Sequence, residues 1–438
     1  MKITGFKRWI ILAAISLMSG LFVFVPYLRF NYYSQMVTVF TEYKSVVSPD
    51  IVNGFIGDIA LAYGIVALPM YILGGIFADK FKEKNLLTLG GIGMGLVTFW
   101  YASIPDSFSL LIVHVLYALI GTGFIWSAYL KLVRKLGTTN EQGRMYSVSE
   151  FIRAIIGTAL GFLGASFLGQ ALLHGETDPQ IMGEQFSLFL IICGGVFIAL
   201  AVLVFFIIPK NVVGLEVEDE NVPQAKFTVQ AAVSVLKMPG VWMIAILVFF
   251  CYSFTAAGSG YITAYTTDVM GVSSVDASFF ATIRNYIIAA LSTLAIGFVA
   301  DKIGSKVKTL GFYLAIASAL TLVLIMTKNF AMISIAITFV FAFVYTGMRG
   351  IYFATLSEVK VPLALTGIAT GVISLICYLP DVYFAKLAGF WLDMYGTQGY
   401  DFIWFWAIAC GVLGVIMAFI TYRYAKKLDG GQPAIIEE

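Results

Sequence analysis

The strongest constraint on this chain is a series of twelve apolar runs, each long enough to cross a lipid bilayer. About 20 consecutive apolar residues span the ~30 Å hydrocarbon core of a membrane as an α-helix. The first run follows Lys7 and Arg8 and so mimics a signal peptide, but it is too long for one. The sequence therefore predicts twelve membrane-spanning helices, near residues 9–33, 52–78, 86–104, 108–131, 145–170, 185–209, 240–266, 277–300, 309–327, 331–356, 364–391 and 402–424.

The composition agrees with a membrane protein. Hydrophobic residues make up 60% of the chain and charged residues 12%, and the mean hydropathy is +0.91. Soluble domains average about 45–50% apolar and about 25% charged residues. This number of charged residues is too small to cover the surface of a soluble protein. We therefore expect an all-α membrane protein whose surface faces mainly lipid. The net charge of +2 does not indicate nucleic acid, because the basic residues sit in short loops.

Cysteine and histidine patterns give no sign of a metal site or of enzyme chemistry. No CxxC occurs, and His114 and His174 lack the spacing of metal ligands. The glycine-rich residues 90–95 lie inside a span, without the Gly-Lys-Ser/Thr of a phosphate loop, and predict close helix packing. We expect no cofactor and no enzyme activity. The four cysteines, all inside apolar runs, are Cys193, Cys251, Cys377 and Cys410.

The positive charges predict the orientation in the membrane. An even number of spans places both termini on one side, and Lys and Arg are enriched in cytoplasmic loops. Most of the 27 Lys and Arg residues fall on the side of the termini, with only Lys44 and Lys328 on the other. We therefore expect both termini in the cytoplasm, in a bacterial inner membrane. The predicted domains are bundles at 1–209 and 239–438, joined by a polar cytoplasmic linker at 210–238.

An internal repeat supports the division into two halves. Residues 75–84 (GIFADKFKEK) recur as residues 297–306 (GFVADKIGSK), each at the cytoplasmic end of an even-numbered span. A carboxylate at a helix end can pair with a basic residue or a neighbouring helix N-terminus and so hold one conformation. The predicted gating residues are Gly75, Asp79, Lys80, Gly297, Asp301 and Lys302.

This repeated loop resembles the G-x-x-x-D-[RK]-x-G-[RK]-[RK] signature of the major facilitator superfamily. The second copy keeps the inner glycine as Gly304, whereas the first has Lys82 there. The resemblance implies two pseudo-symmetric bundles of six helices around a central substrate cavity, with transport by alternating access.

A narrower resemblance concerns the first span. Residues 27–31 (YLRFN) are similar to the Y-x-x-R-x-N stretch of organophosphate:phosphate antiporters and related organic anion transporters, with one residue fewer. That likeness implies that Arg29 faces an anionic group, and Arg153 falls where the antiporters carry a central histidine. Their second cavity arginine, in the seventh span, has no counterpart here; Arg284 and Arg349 lie in spans eight and ten instead.

Charges inside the spans point to an anionic solute. A charge at the bilayer centre costs about 2.5–3.5 kcal/mol or more, so these side chains should face a cavity or a partner. Cations outnumber acids, and a bound anion would supply the missing negative charge. We expect Arg29, Arg153, Arg284 and Arg349 to project into one cavity, with Tyr252 and Tyr352 also contacting the substrate. The intramembrane charges are Arg29, Arg153, Arg284, Arg349, Lys386, Asp58, Glu150 and Asp381.

Four of these charges have several interpretations. Glu150 and Arg153 can form an i,i+3 pair that is structural or gating, or they can contact substrate or ion. Asp58 fits a hydrated entrance residue, a partner for a cation or a protonation site. Asp381 follows a proline at a predicted kink, and Lys386 can extend to the membrane surface. We group Asp58, Glu150, Asp381 and Lys386 as coupling or charge-pair residues.

The leading functional hypothesis is secondary active transport of a small organic anion, namely a sugar phosphate, sulfonate or carboxylate. It would act as a monomer, by exchange or by symport with H⁺ or Na⁺. One alternative is proton-coupled efflux of a drug or metabolite, although few acids and many arginines argue against a cation. Another is a transporter-like membrane sensor that binds a sugar phosphate and signals to a partner.

Overall fold

The chain folds almost entirely into helices, as its apolar runs dictate. Inside a bilayer no water is available to backbone groups, so each segment must satisfy its own N–H and C=O groups. A computed structural model describes residues 3–138, 141–173, 176–213, 229–362 and 365–429. In these ranges the only paired strands are Leu172–Leu173 and Glu176–Thr177, joined antiparallel with Leu172 opposite Thr177.

The first half of the chain contains spans 1 to 6, numbered in chain order. Short helical turns at Val39–Tyr43 and Pro49–Ile51 connect spans 1 and 2. The crossings are span 1 (Gly5–Phe24, Val25–Tyr27 and Arg29–Thr38), span 2 (Val52–Lys80), span 3 (Glu83–Ala102), span 4 (Ser107–Tyr117, Ala118–Trp126 and Ser127–Lys135), span 5 (Gln142–Gly169) and span 6 (Pro179–Ile207).

The second half contains spans 7 to 12. A short helix, Val229–Leu236, precedes span 7, and 3₁₀ turns follow at Phe353–Ser357 and Gly396–Gln398. The crossings are span 7 (Pro239–Asp268), span 8 (Ser274–Thr282, Ile283–Ile288 and Ala289–Ile303), span 9 (Lys306–Met326), span 10 (Ala331–Met348), span 11 (Thr366–Cys377 and Leu379–Tyr395) and span 12 (Gly399–Asp429).

The prediction of twelve crossings is confirmed. Among the described residues, eleven helical segments are long and apolar enough to span a membrane, and the last, Ile368–Leu428, is 61 residues long. One crossing needs about 20 residues, so this segment accounts for spans 11 and 12, which are separated by the turn at Gly396–Gln398. Span 10 is shorter than the predicted 331–356, because its helix ends at Met348.

The described residues divide into two compact units. Unit 1 comprises Met1–Asp219 together with Val272–Ile287 and Ala385–Met394, which are parts of spans 8 and 11. Unit 2 comprises the remaining second-half residues. The predicted domain boundaries at 209 and 238 stay a prediction, and much of the predicted linker, residues 214–228, lies outside the described ranges.

Glycines allow spans 3 and 6 of unit 1 to pack closely, which confirms the role predicted for residues 90–95. A Cβ added at Gly95 would lie 2.7 Å from the Ile198 side chain and 3.0 Å from the Gly194 carbonyl oxygen. A Cβ at Gly194 would lie 2.7 Å from the Phe99 ring. Small residues are the common means of bringing two membrane helices together.

Span 1 is broken twice, and the breaks position its polar side chains. Pro26 has no N–H to continue the helix and starts a 3₁₀ turn, Val25–Tyr27. Tyr32 then leaves the helical conformation, with φ −130° and ψ 38°, and its hydroxyl donates to the Gly161 carbonyl oxygen at 2.7 Å. Arg29 lies between the two breaks.

Candidate functional site

Arg29 is a buried cation without a carboxylate partner among the described residues. The residue is 6% exposed, and its guanidinium carbon lies 4.6 Å from the centre of the Phe30 ring. None of the ion pairs in the described ranges includes Arg29. A contact between a cation and an aromatic face stabilises the cation by only about 0.5–2 kcal/mol, which is less than the cost of burying the charge. The Arg29 guanidinium therefore retains hydrogen-bond donors that no described carboxylate uses.

A small cavity in unit 1 brings Arg29 together with Tyr101 at the end of span 3 and His114 of span 4. Both rings are buried, with centroids 5.4 Å apart in an edge-to-face arrangement. His114 Nδ1 bonds to the Leu110 carbonyl oxygen at 2.8 Å. The Tyr101 hydroxyl is buried and makes no hydrogen bond within the described part of the chain, an arrangement that typically costs about 1–3 kcal/mol.

Arg153 of span 5 lies in a different environment within unit 1. Its guanidinium carbon lies 5.3 Å from the Trp126 ring centre and 5.9 Å from that of Tyr129, and it forms an ion pair with Glu150. The Tyr129 hydroxyl is 2.5 Å from Ser149 Oγ. The predicted i,i+3 pair of Glu150 and Arg153 is thus formed, and aromatic faces hold the arginine.

Asp58 and Lys386 form an ion pair in unit 1, with 2.7 Å between Oδ2 and Nζ. Close beside it, the Asp393 carboxylate accepts from the Asn53 and Gly54 backbone N–H groups at 3.1 and 2.6 Å. The residue before span 2 provides no side-chain cap, so an acid distant in sequence satisfies the helix N-terminus. Of the interpretations left open for Asp58, the geometry favours a partner for a cation.

Arg284 lies in the π-helical turn Ile283–Ile288 of span 8 and is 1% exposed. Around this part of unit 1, polar side chains from spans 1 and 8 bond to each other. Asn285 Nδ2 donates to Asn31 Oδ1 at 3.1 Å, and Gln35 Nε2 donates to Ser278 Oγ at 2.8 Å. Such π-helical turns occur frequently at functional sites.

Unit 2 contains a separate polar cluster. The Tyr252 hydroxyl donates to Asp381 Oδ2 at 2.5 Å, and the Tyr378 ring packs edge-on against Tyr252 with centroids 4.8 Å apart. Tyr352 is buried. Arg349 is exposed and directly follows the last residue of the span 10 helix, Met348.

Comparison with known proteins identifies the family. The model of the Major Facilitator Superfamily matches residues 9–385, which is most of the chain. The chain belongs to the Major Facilitator Superfamily. It is 25% identical over 436 residues to inner membrane protein YqcE of Escherichia coli K12, covering 98% of each chain. It is also 25% identical over 433 residues to inner membrane protein YihN of the same organism, covering 96% of this chain and 97% of that protein.

Solved structures agree with this assignment. A bacterial homologue of the human lysosomal transporter Spinster superposes with a TM-score of 0.75, covering 99% of this chain and all of that one at 15% identity. Twelve helices in two bundles of six are thus the architecture of this chain, as its sequence predicted. It is a transporter of the superfamily and not an enzyme.

The two superfamily loops end their helices differently, and the sequence explains why. Gly304 adopts φ 75° and ends span 8 in a left-handed turn, a conformation that glycine enters at little cost. Lys82 occupies the matching position after span 2, and there the chain leaves the helix through an extended Phe81. Asp301 and Lys302 are exposed, whereas the side chain of Asp79 is outside what the structure describes.

The structure distributes the predicted site residues over both units. Unit 1 holds Arg29, Arg153, Arg284, Asp58, Glu150 and Lys386, and unit 2 holds Arg349, Tyr252, Tyr352 and Asp381. The convergence of the four arginines on one cavity therefore stays a prediction. The sequence does not predict Tyr101, His114 or Asp393 as site residues. Of the three, only His114 could have been singled out, because a histidine inside a membrane span is uncommon. Tyrosines in spans and acids near loops are common and so give no such indication.

Proposed function

We propose that this chain is a secondary active transporter of a small organic anion, a sugar phosphate, sulfonate or carboxylate, that works by alternating access. The main support for this proposal is the environment of Arg29, whose guanidinium is buried and has no carboxylate partner in the described ranges. A guanidinium never loses its charge in a protein and presents donors that match oxyanion geometry. An anionic substrate would provide the negative charge that Arg29 lacks.

The intramembrane acids support this proposal, because each is engaged elsewhere. Asp58 pairs with Lys386, Glu150 pairs with Arg153, and Asp381 accepts from Tyr252. The engagement of these three described acids also argues against the efflux of a cationic compound, which would need a carboxylate to bind it. The names of YqcE and YihN support an inner-membrane location, and the loop charges support cytoplasmic termini.

Counterflow in proteoliposomes tests the proposal. Purified protein is loaded with one unlabelled phosphorylated, sulfonated or carboxylated sugar at a time, and uptake of the same labelled anion is measured. We expect counterflow with at least one anion and none with matched neutral sugars. Transport of cations alone would overturn the anion assignment, and anion binding without counterflow would favour the sensor.

Variants of Arg29 test the residue that carries the proposal. Removing one member of a buried charge pair typically costs about 2–5 kcal/mol, so Arg29→Ala should weaken anion binding at least about tenfold. Arg29→Lys keeps the charge but loses the planar fork, and should also impair binding. Arg423→Lys, at an exposed arginine, is the matched control and should behave as wild type. Wild-type affinity and rate in both Arg29 variants would contradict the proposal.

A further inference from the structure

The cavity beside Arg29 has three polar lining residues in an otherwise apolar enclosure. Span 1 supplies Arg29, span 3 supplies Tyr101 and span 4 supplies His114, whereas all other lining residues are apolar side chains of spans 1 and 2. The free space is about that of one water molecule. A ligand group larger than a water molecule therefore enters only when the lining helices move apart, a change of the kind that alternating access involves.

The hydrogen-bonding capacities of these three groups differ. Arg29 can only donate. The Tyr101 hydroxyl can donate or accept, and it has no partner within the described ranges although it is fully buried. His114 Nδ1 faces a carbonyl oxygen, which can only accept, so Nδ1 is the donor in that bond. In the neutral ring Nε2 is then an acceptor, so the cavity combines strong donors with one acceptor.

We propose that Tyr101 and His114 complete the anion site of Arg29, and that this site selects an oxyanion that also carries an O–H group. The inference rests on the proposed function and specifies its substrate class. Charged oxygens of the ligand accept from Arg29 and Tyr101, and the ligand O–H donates to His114 Nε2. A 2-hydroxycarboxylate has this chemistry, and so does a hydrogen phosphate group; a sulfate ester or a 2-deoxy acid lacks the donor.

The buried acceptor provides the discrimination. A ligand without the O–H leaves His114 Nε2 desolvated and unpaired, and sites built to bond a hydroxyl reject analogues that lack it. The ring of His114 is fixed in place by the Leu110 carbonyl on one side and by edge-to-face contacts with Tyr101 and Tyr117. The acceptor thus has one orientation and cannot readily turn away from an unsuitable ligand.

Two matched ligand pairs test the selectivity by calorimetry on the purified full-length protein. D-Gluconate is compared with 2-deoxy-D-gluconate, and inorganic phosphate is compared with sulfate at the same ionic strength. We expect the member with the O–H to bind at least about tenfold more tightly in one of the pairs, and that pair identifies the source of the hydroxyl. Equal affinities within both pairs would overturn the inference.

Variants assign the selectivity to the cavity. His114→Phe should remove the preference within the pair. Tyr101→Phe should weaken binding about tenfold without lowering Tm, because its hydroxyl has no partner to lose. Tyr265→Phe is the control: its buried hydroxyl also makes no hydrogen bond within the described ranges and Tyr265 does not line the cavity, so both binding and Tm should stay unchanged.

The outcome for Arg29 separates this inference from the proposed function. If Arg29→Lys loses anion binding while Tyr101→Phe and His114→Phe bind every probe as wild type does, the anion transporter stands and the inference is wrong. If Arg29→Lys also binds the anions as wild type does, the proposed function itself is contradicted.

Discussion

At the scale of single residues, the neighbours of each arginine decide what it can do. Arg153 shares its charge with Glu150 and lies over two aromatic rings, whereas Arg29 contacts an aromatic ring and no described carboxylate. By charge and position in the sequence both are intramembrane cations, and only the family resemblance sets Arg29 apart as the one that faces an anionic group. A lysine at either position would keep the charge and lose the planar contact with the rings, so neither replacement is conservative.

The coupling residue can be tested at the same scale. Asp58 and Glu150 form ion pairs with basic side chains, and Asp381 accepts a hydrogen bond from Tyr252, which is predicted to contact the substrate. Substrate binding at Tyr252 would alter the hydrogen bonding of Asp381, so we expect Asp381 to be the proton carrier if transport is proton-coupled. Asp381→Asn should then abolish substrate-dependent proton uptake into proteoliposomes and leave exchange intact. The controls are Asp58→Asn and Glu150→Gln; proton uptake unchanged in all three variants would favour exchange or sodium coupling.

At the scale of helices, adjacent glycines of span 6 provide an internal comparison. A Cβ at Gly194 would lie 2.7 Å from the Phe99 ring and 3.1 Å from the Gly95 carbonyl oxygen, whereas a Cβ at Gly195 meets nothing within 4 Å. Overpacking typically costs about 1–3 kcal/mol, so Gly194→Val should lower Tm in detergent. Gly195→Val makes the same chemical change in open space and should leave Tm unchanged or raise it. Equal effects would contradict the packing of spans 3 and 6.

The contact between the start of span 1 and the start of span 5 is predicted to depend on pH. Both Arg8 guanidinium Nη atoms donate to the Glu141 carboxylate at 2.8 Å, and chiefly this hydrogen bond lowers the Glu141 pKa from 4.5 to about 2. A lowered folded-state pKa contributes stability above pH 4.5, and that contribution disappears as the pH falls towards 2. The Tm difference between wild type and Glu141→Gln should therefore shrink on acidification from pH 6 to pH 3. A difference that grows over that range would contradict this assignment.

At the scale of the whole molecule, the fold followed from the sequence and much of the site did not. Long apolar runs fix the number of crossings because each must span the same hydrocarbon thickness. Pairings between distant residues leave no such local trace. Asp58 and Lys386 are both intramembrane charges in the sequence, but 328 positions separate them and nothing in either neighbourhood indicates the other. Asp393 is unpredictable for the same reason, since the residues at the start of span 2 do not show that a carboxylate from another helix caps it.

The orientation of the whole chain can be tested with single cysteines, because the four native cysteines are buried and should react little. Lys44 and Lys427 are exposed residues at opposite predicted faces, and the excess of cations on the side of Lys427 predicts that side to be cytoplasmic. In spheroplasts, a membrane-impermeant maleimide should label Lys44→Cys, whereas it should label Lys427→Cys only after the membrane is permeabilised. Unsubstituted protein gives the background from Cys193, Cys251, Cys377 and Cys410.

Labelling of Lys427→Cys but not Lys44→Cys in intact spheroplasts would invert the topology and place the superfamily loops on the outer face. Labelling of both would mean that the number of crossings between them is even, in conflict with the eleven crossings that follow Lys44.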